Sequence, residues 1–323
     1  MRYASITSGD FTLDMSKIVL GTMIFGTRLT EKESFEMLDY YVAHGGNCID
    51  TARAYVNDYP GGEGLSETII GRWLKSRGAR EKVILSTKGG HPSAYDKKTI
   101  RLAKEEVAAD LEESLRNLGV DCVDIYWLHR DDPSRDVSYI IDYLDEFVKE
   151  GKIKFPAVSN WSAKRIAEAN AYAARAGKTP IAMSQIQWSL ASTTKEQYGD
   201  PTMETMTKEE YHWYRESGMP VMAYCPQAKG FFSKYLTLGE EGLNEKARKR
   251  FLSPENVARA QRVKAFGEKN GLSPAAVALS FITSNPVEGF AIVGCSSLDQ
   301  LKDSMSGGDF VIAPEEERAL YGD

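Results

Sequence analysis

Cysteine and histidine are both scarce in this 323-residue chain, with four of each. Cys48, Cys122, Cys225 and Cys295 are scattered without a C-x-x-C pair, which excludes a zinc ribbon and a secreted disulfide framework. Buried free thiols in a reducing compartment are the reading that remains. No H-x-x-H or carboxylate cluster demands a metal, so none is expected. Long hydrophobic runs are missing too. The most extended apolar stretch, around 275–282, falls far short of the ~20 residues that span a bilayer, and no membrane association is expected. Met1-Arg2-Tyr3-Ala4-Ser5-Ile6-Thr7 lacks the apolar core of a signal peptide, so the expectation is a cytoplasmic protein. Positive charge is not in excess: 40 Lys and Arg against 46 Asp and Glu leave a net charge of −6. That balance argues against a nucleic-acid partner, whose binding rests on neutralised phosphates.

What is present is a rhythm. Apolar stripes at helical spacing cover roughly 30–43, 64–77, 100–118, 136–150, 162–176, 207–217, 254–270 and 273–284. Thr30 with Glu33 forms a capping box, and Ser253-Pro254 and Ser273-Pro274 read as a cap followed by proline in the first turn. Glycines at 45, 78, 119, 151, 177, 218 and 271 mark helix stops. Short apolar runs at 18–21, 48–50, 83–88, 123–128, 155–159, 182–185, 221–224 and 290–294 supply eight strand candidates. Length over ~150 suggests two domains, but α/β barrels run past ~250 residues as one. Eight strand–helix units therefore predict an α/β fold, a single (β/α)8 TIM barrel over residues 1–323. A Rossmann sheet would need G-x-G-x-x-G, which Gly61-Gly62-Glu63-Gly64 does not match. Segments 2–6 and 11–15 predict an N-terminal β-hairpin that closes the barrel floor. The aperiodic stretches 190–210 and 226–252 predict long loops at the C-terminal face.

Barrel chemistry sits at the C-terminal strand ends. Reading those ends collects Asp50, Lys88, His129, Ser159-Asn160, Gln185, Tyr224 and Gly294, with Tyr55 five residues past Asp50. Singly, Asp50 and Lys88 read as an ordinary ion pair, Tyr55 as a loop aromatic and His129 as a core histidine. Jointly, Asp50, Tyr55, Lys88 and His129 make an acid–base set. An ammonium beside a phenol should lower its pKa and let it give a proton to a carbonyl oxygen. His44, His91 and His212 show no such convergence and read as structural.

Ordered blocks along the chain resemble the aldo-keto reductases: Leu20-Gly21-Thr22-Met23, Asn47-Cys48-Ile49-Asp50-Thr51-Ala52-Arg53-Ala54-Tyr55, Ser66-Glu67-Thr68-Ile69-Ile70-Gly71, Ser86-Thr87-Lys88, Asp124-Ile125-Tyr126-Trp127-Leu128-His129-Arg130 and Val158-Ser159-Asn160-Trp161. The resemblance implies a nicotinamide cofactor bound without a Rossmann domain, and Tyr55 as general acid assisted by Lys88, Asp50 and His129. It places cofactor contacts at Gly21, Thr22, Met23, Ser159, Asn160 and Gln185, with Trp188 stacking on the nicotinamide. It also places Tyr224, Cys225, Pro226, Gln227, Ala228 and Gly230 on the pyrophosphate side. Gly294, Ser296, Ser297, Gln300, Asp303 and Ser304 fall in the last phosphate loop and at the adenosine end. NADPH-preferring members often carry a cation beside that loop; here Lys302 is the nearest one. NADP(H) is the family-level expectation and NAD(H) the rival. The run Lys246-Ala247-Arg248-Lys249-Arg250 reads either as a phosphate contact or as a solvated helix end.

The expected activity is reversible reduction of a small-molecule aldehyde or ketone, including sugar- or polyol-derived carbonyls. A polyol dehydrogenase and a cofactor-occupancy redox sensor are the alternatives. Phe25, Trp127, Arg130 and Trp161 are the substrate-pocket candidates, with a salt bridge to Asp131 or Asp132 as Arg130's other role.

Overall fold

The computed structural model describes residues 1–57, 59, 61–92 and 99–322. An antiparallel hairpin, β1 (Tyr3–Ser8) and β2 (Phe11–Ser16), leads into β3 (Ile18–Gly21), and seven further strands follow. They are β4 (Cys48–Asp50), β5 (Ile84–Gly89), β6 (Val123–Leu128), β7 (Ile153–Ser159), β8 (Ser184–Gln185), β9 (Val221–Ala223) and β10 (Gly289–Val293). Strands β3 to β10 are parallel and close into a barrel, with β10 pairing with β3. Because such strands are covered on both faces, they read as continuous rather than alternating apolar runs. All six residues of β6 are buried.

Helices α1 (Glu31–Ala43), α2 (Leu65–Arg77), α3 (Lys104–Leu118), α4 (Val137–Lys149), α5 (Ala163–Ala176), α6 (Lys195–Tyr198) and α7 (Lys208–Ser217) cover the first part of the barrel. The rest is covered by α8 (Phe231–Leu238), α9 (Glu245–Phe251), α10 (Pro254–Asn270), α11 (Pro274–Thr283), α12 (Leu298–Ser306) and α13 (Pro314–Tyr321). The predicted Thr30–Glu33 capping box starts α1, and prolines occupy the first turns of α10 and α11. The stretches read as aperiodic loops contain α6, α8 and α9 instead. Each has at most eight residues, too few turns for a 3.6-residue period to show.

Val19, Cys48, Ile84, Ile125, Trp127, Phe155, Met183, Met222 and Phe290 fill the barrel interior. Ile6 and Met15 of the hairpin close that core from below. With the floor plugged, the other end of the barrel is left for chemistry.

Candidate active site

Lys88 and Asp50 project into the barrel from neighbouring strand ends, and both are buried. Lys88 Nζ donates to Asp50 Oδ2 at 2.5 Å, to the Thr51 carbonyl at 2.6 Å and to the Tyr55 hydroxyl at 3.1 Å. All three ammonium protons have acceptors, and burying a charge requires that. Asp50 is held in turn by Ser86 Oγ at 2.8 Å, and Ser86 accepts from Trp127 Nε1 at 2.7 Å. A continuous chain thus runs from the Trp127 indole through Ser86, Asp50 and Lys88 to the phenol.

These contacts set the electrostatics. Burial works against the Lys88 ammonium, but Asp50 and Tyr55 outweigh it and carry the group above its ordinary range. Burial raises the Tyr55 phenol, and the opposing pull of Lys88 does not cancel it. The depressed phenol expected from an ammonium alone is therefore corrected: desolvation dominates, and Tyr55 keeps its proton at neutral pH. His129 follows β6, with its ring edge-on to Tyr55 and centroids 6.1 Å apart. Burial, with His91, Arg130 and Lys88 adding to it, pushes the imidazole well below its usual value.

Just after β7, Asn160 adopts a left-handed backbone (φ 62°), a conformation that asparagine tolerates better than most residues. Its amide donates to Ser159 Oγ at 3.0 Å, and its Oδ1 accepts from Tyr224 OH at 2.8 Å and Glu204 N at 3.2 Å. Ser159 Oγ donates to Gln185 O at 2.9 Å, and Gln185 Nε2 reaches Asp50 Oδ1 at 3.4 Å. Ser159, Asn160, Gln185 and Tyr224 are thus gathered beside the acid–base set.

Several candidate residues lie elsewhere. Trp188 is 3% exposed and turned outward against Tyr211 of α7 and Phe281 of α11, so it has no ring face at the mouth. Phe25, Trp127 and Trp161 are fully buried; Trp127 supports Ser86 from inside the barrel, and Trp161 Nε1 donates to Arg130 O at 3.2 Å. Arg130 does not pair with Asp131 or Asp132, which are taken by Arg165 and Arg135. Its guanidinium donates to Thr202 Oγ1 at 3.1 Å and lies 3.8 Å from Asp200, strapping the loop after β8 across the mouth. Thr22 is buried and spent on Asp50 O and Ser66, whereas Met23 is exposed.

After β9, Cys225, Ala228 and Lys229 all have positive φ, and Gly230 ends the turn at φ 77°. Pro226 lies within this tight loop, and Gln227 Nε2 donates to Ser304 Oγ at 3.1 Å. After β10, Gly294, Ser296 and Ser297 are exposed, and among the described residues no atom beyond the adjoining Val293 and Cys295 lies within 4 Å of where a Cβ on Gly294 would stand. Ser297 caps α12, and Gln300 Oε1 accepts from Ser296 N at 2.9 Å. Asp303 faces away and accepts from Ser273 Oγ at 2.8 Å. Lys302 pairs with Asp299 at 3.3 Å. In the basic run, Arg250 sits over the Tyr198 ring, 4.0 Å from its centroid.

Sequence reading missed Ser86 and Glu204. Ser86 was findable, because it lies two residues before Lys88 and so shares its face of the strand. Glu204 acts through its backbone, which leaves no mark in residue type.

A closed parallel barrel with an ammonium, a carboxylate, a phenol and an imidazole gathered at its C-terminal mouth defines a (β/α)8 barrel with its ionisable groups at one end. The chain belongs to the aldo/keto reductase family, whose model matches residues 17–320. It is 30% identical to Protein tas of Escherichia coli K12, covering 91% of this chain and 90% of that protein. It is 29% identical to Aldo-keto reductase str7 of Strobilurus tenacellus, over 92% and 82% of the two chains. It is 26% identical to a putative aryl-alcohol dehydrogenase, AAD14, of Saccharomyces cerevisiae, over 98% and 84%. Carbonyl–alcohol oxidoreduction with a nicotinamide cofactor is the general chemistry of this family. Among the described residues no helix is long and apolar enough to cross a membrane.

Proposed function

We propose that this protein reduces an aldehyde or ketone to an alcohol, reversibly, with Tyr55 as the proton donor. The observation that carries the reading is the Lys88 ammonium, shared between Asp50, Thr51 O and the Tyr55 hydroxyl. A nicotinamide cofactor suits the chain: amide and hydroxyl groups of Ser159, Asn160 and Gln185 cluster beside the acid–base set, and the 294–297 loop is open at the N-terminus of α12. When bound, that cofactor supplies or accepts the hydride.

The protein's own residues do the rest. Tyr55 donates its phenolic proton as the carbonyl oxygen gains charge, and Lys88 stabilises the phenolate left behind. Asp50 keeps Lys88 charged and in place. His129, uncharged, orients the carbonyl oxygen. Tyr224, tied to Asn160, takes the ring-stacking role first assigned to Trp188.

NADP(H) is proposed on the family's habit, with NAD(H) as rival, since residues 294–304 hold no arginine and Lys302 already pairs with Asp299. The aryl-alcohol relatives put aromatic aldehydes on the substrate panel beside sugars and simple ketones. One experiment covers the reading: turnover of that panel with NADPH and NADH, for wild type and Tyr55→Phe. The variant is expected to keep cofactor affinity and lose roughly 10²–10⁴-fold in rate. Near-wild-type turnover in Tyr55→Phe would sink the mechanism, and a hundredfold preference for NADH would reverse the cofactor choice.

A further inference from the structure

His91 stands three residues beyond Lys88, and nothing in the chemistry above uses it. Its ring meets His129 edge to face, with centroids 4.6 Å apart and planes at 64°. Its Nδ1 lies 2.8 Å from the Pro92 carbonyl, which only accepts, so Nδ1 carries a proton and the ring is pinned to its own loop. The loop itself is braced. Arg101 donates to the His91 carbonyl at 3.2 Å and to Asp110 of α3 at 3.0 Å, and Gly90 N donates to the same carboxylate at 2.9 Å.

His129 is therefore in edge contact with two rings, those of His91 and Tyr55. Its own Nδ1 is buried without a hydrogen-bond partner among the described residues. A working histidine is commonly oriented by a hydrogen bond from its second nitrogen. Here packing must set the ring plane instead.

We infer that His91 is a positioning residue: its ring fixes the plane of the His129 imidazole beside the Tyr55 phenol, so that Nε2 meets the substrate oxygen in one orientation. The inference rests on the functional reading above. The charge environment agrees with it. Lys88, Arg130 and His91 all surround His129; Asp50 is engaged by Lys88, and Asp200 lies by Arg130. An imidazolium would need an acceptor at the buried Nδ1, and the described residues supply none, so the ring stays neutral and the proton is left to Tyr55.

The test uses the full-length protein and two variants, His91→Phe and His91→Ala. Rates are read alongside the ring NMR signals of His129 over about pH 5 to 8, with His129→Asn used only to assign those signals. His91→Phe keeps an aromatic edge and is expected to turn over within about threefold of wild type. His91→Ala is expected to lose about tenfold or more in kcat, with cofactor Kd unchanged, because the acceptor geometry loosens. In His91→Ala the His129 signals are also expected to titrate at higher pH than in the wild type, since one of the groups that hold the imidazole down is gone. Unchanged His129 signals and a rate within twofold of wild type in His91→Ala overturn the inference. So does a His91→Phe variant as impaired as His91→Ala. The NMR arm needs no turnover. A wild-type protein inactive on every carbonyl therefore removes the functional reading, while the His91–His129 coupling is still decided.

Discussion

A buried ammonium is held by what accepts its protons, so Lys88 is best understood through the partners it would leave behind. Replacing it by methionine strands Asp50, fully buried, with only Ser86 and the long contact from Gln185. Breaking one side of a buried ion pair costs about 3–5 kcal/mol. It also removes the one group that opposes the burial-driven rise of the Tyr55 phenol while donating to it. Lys88→Met is therefore expected to lower Tm and to cut kcat by at least about 10²-fold. The double variant Asp50→Asn/Lys88→Met separates the two effects, since no carboxylate is left uncompensated. Most of the lost Tm should return and the rate should not. Recovery of both in calorimetry and kinetics would mean that the ammonium is structural and not part of the proton path.

At the level of elements, the site depends on how closely helices seat on the barrel. Gly71 of α2 packs against the C-terminal end of α3. A Cβ there would collide with the Asn117 carbonyl and stand 2.8 Å from the Leu118 carbonyl, both backbone atoms that cannot swing aside. Gly71→Ala should therefore cost about 1–3 kcal/mol through overpacking, despite alanine's better helix propensity. Urea denaturation measures it; a neutral or stabilising change would show that α2 slides freely. Gly71 and the neighbouring Ser66 and Glu67 were visible in the sequence as a block, yet their reason is a packing distance that no residue pattern carries. The strands and long helices were legible because burial on two faces and burial on one stripe leave different periods, as in 123–128 and 104–118. The placement of Asp50, Lys88 and His129 at the barrel mouth was legible because strand ends place side chains predictably. Trp188, Phe25 and Trp161 were not, because whether an aromatic beyond a strand turns to the mouth or to the outer layer is decided by its neighbours. Arg130's partner was hidden for a similar reason: Asp200 is distant in sequence.

For the molecule as a whole, a net charge of −6 sets a background in which individual carboxylates pull stability in opposite directions. Asp145 is drawn down to about 2: burial raises it, but bonds to Lys149 and Thr179 outweigh that. Its contribution is present above the ordinary aspartate range and is lost as pH falls through about 2. Glu210 behaves oppositely. This α7 carboxylate accepts the Ala163 N–H with both oxygens at 3.1 Å, joining α7 to the start of α5 beside Trp161. Burial pushes it up to about 6 against that bond, with Glu204 adding to the rise. A folded-state value above the unfolded one means that the native protein binds this proton more tightly. The stabilisation is complete below about 4.5 and is lost as pH rises through about 6. Because Glu210 is only half-buried at the rim, solvent screening brings the effect to about 1 kcal/mol. Glu210→Gln keeps an acceptor for Ala163 and removes the titration. Urea unfolding of both proteins at about pH 4.5 and about pH 8 should show the wild type losing about 1 kcal/mol relative to the variant across that interval. A difference that does not change with pH would mean that Glu210 is solvated in the native state, and that the α5–α7 contact does not desolvate its carboxylate.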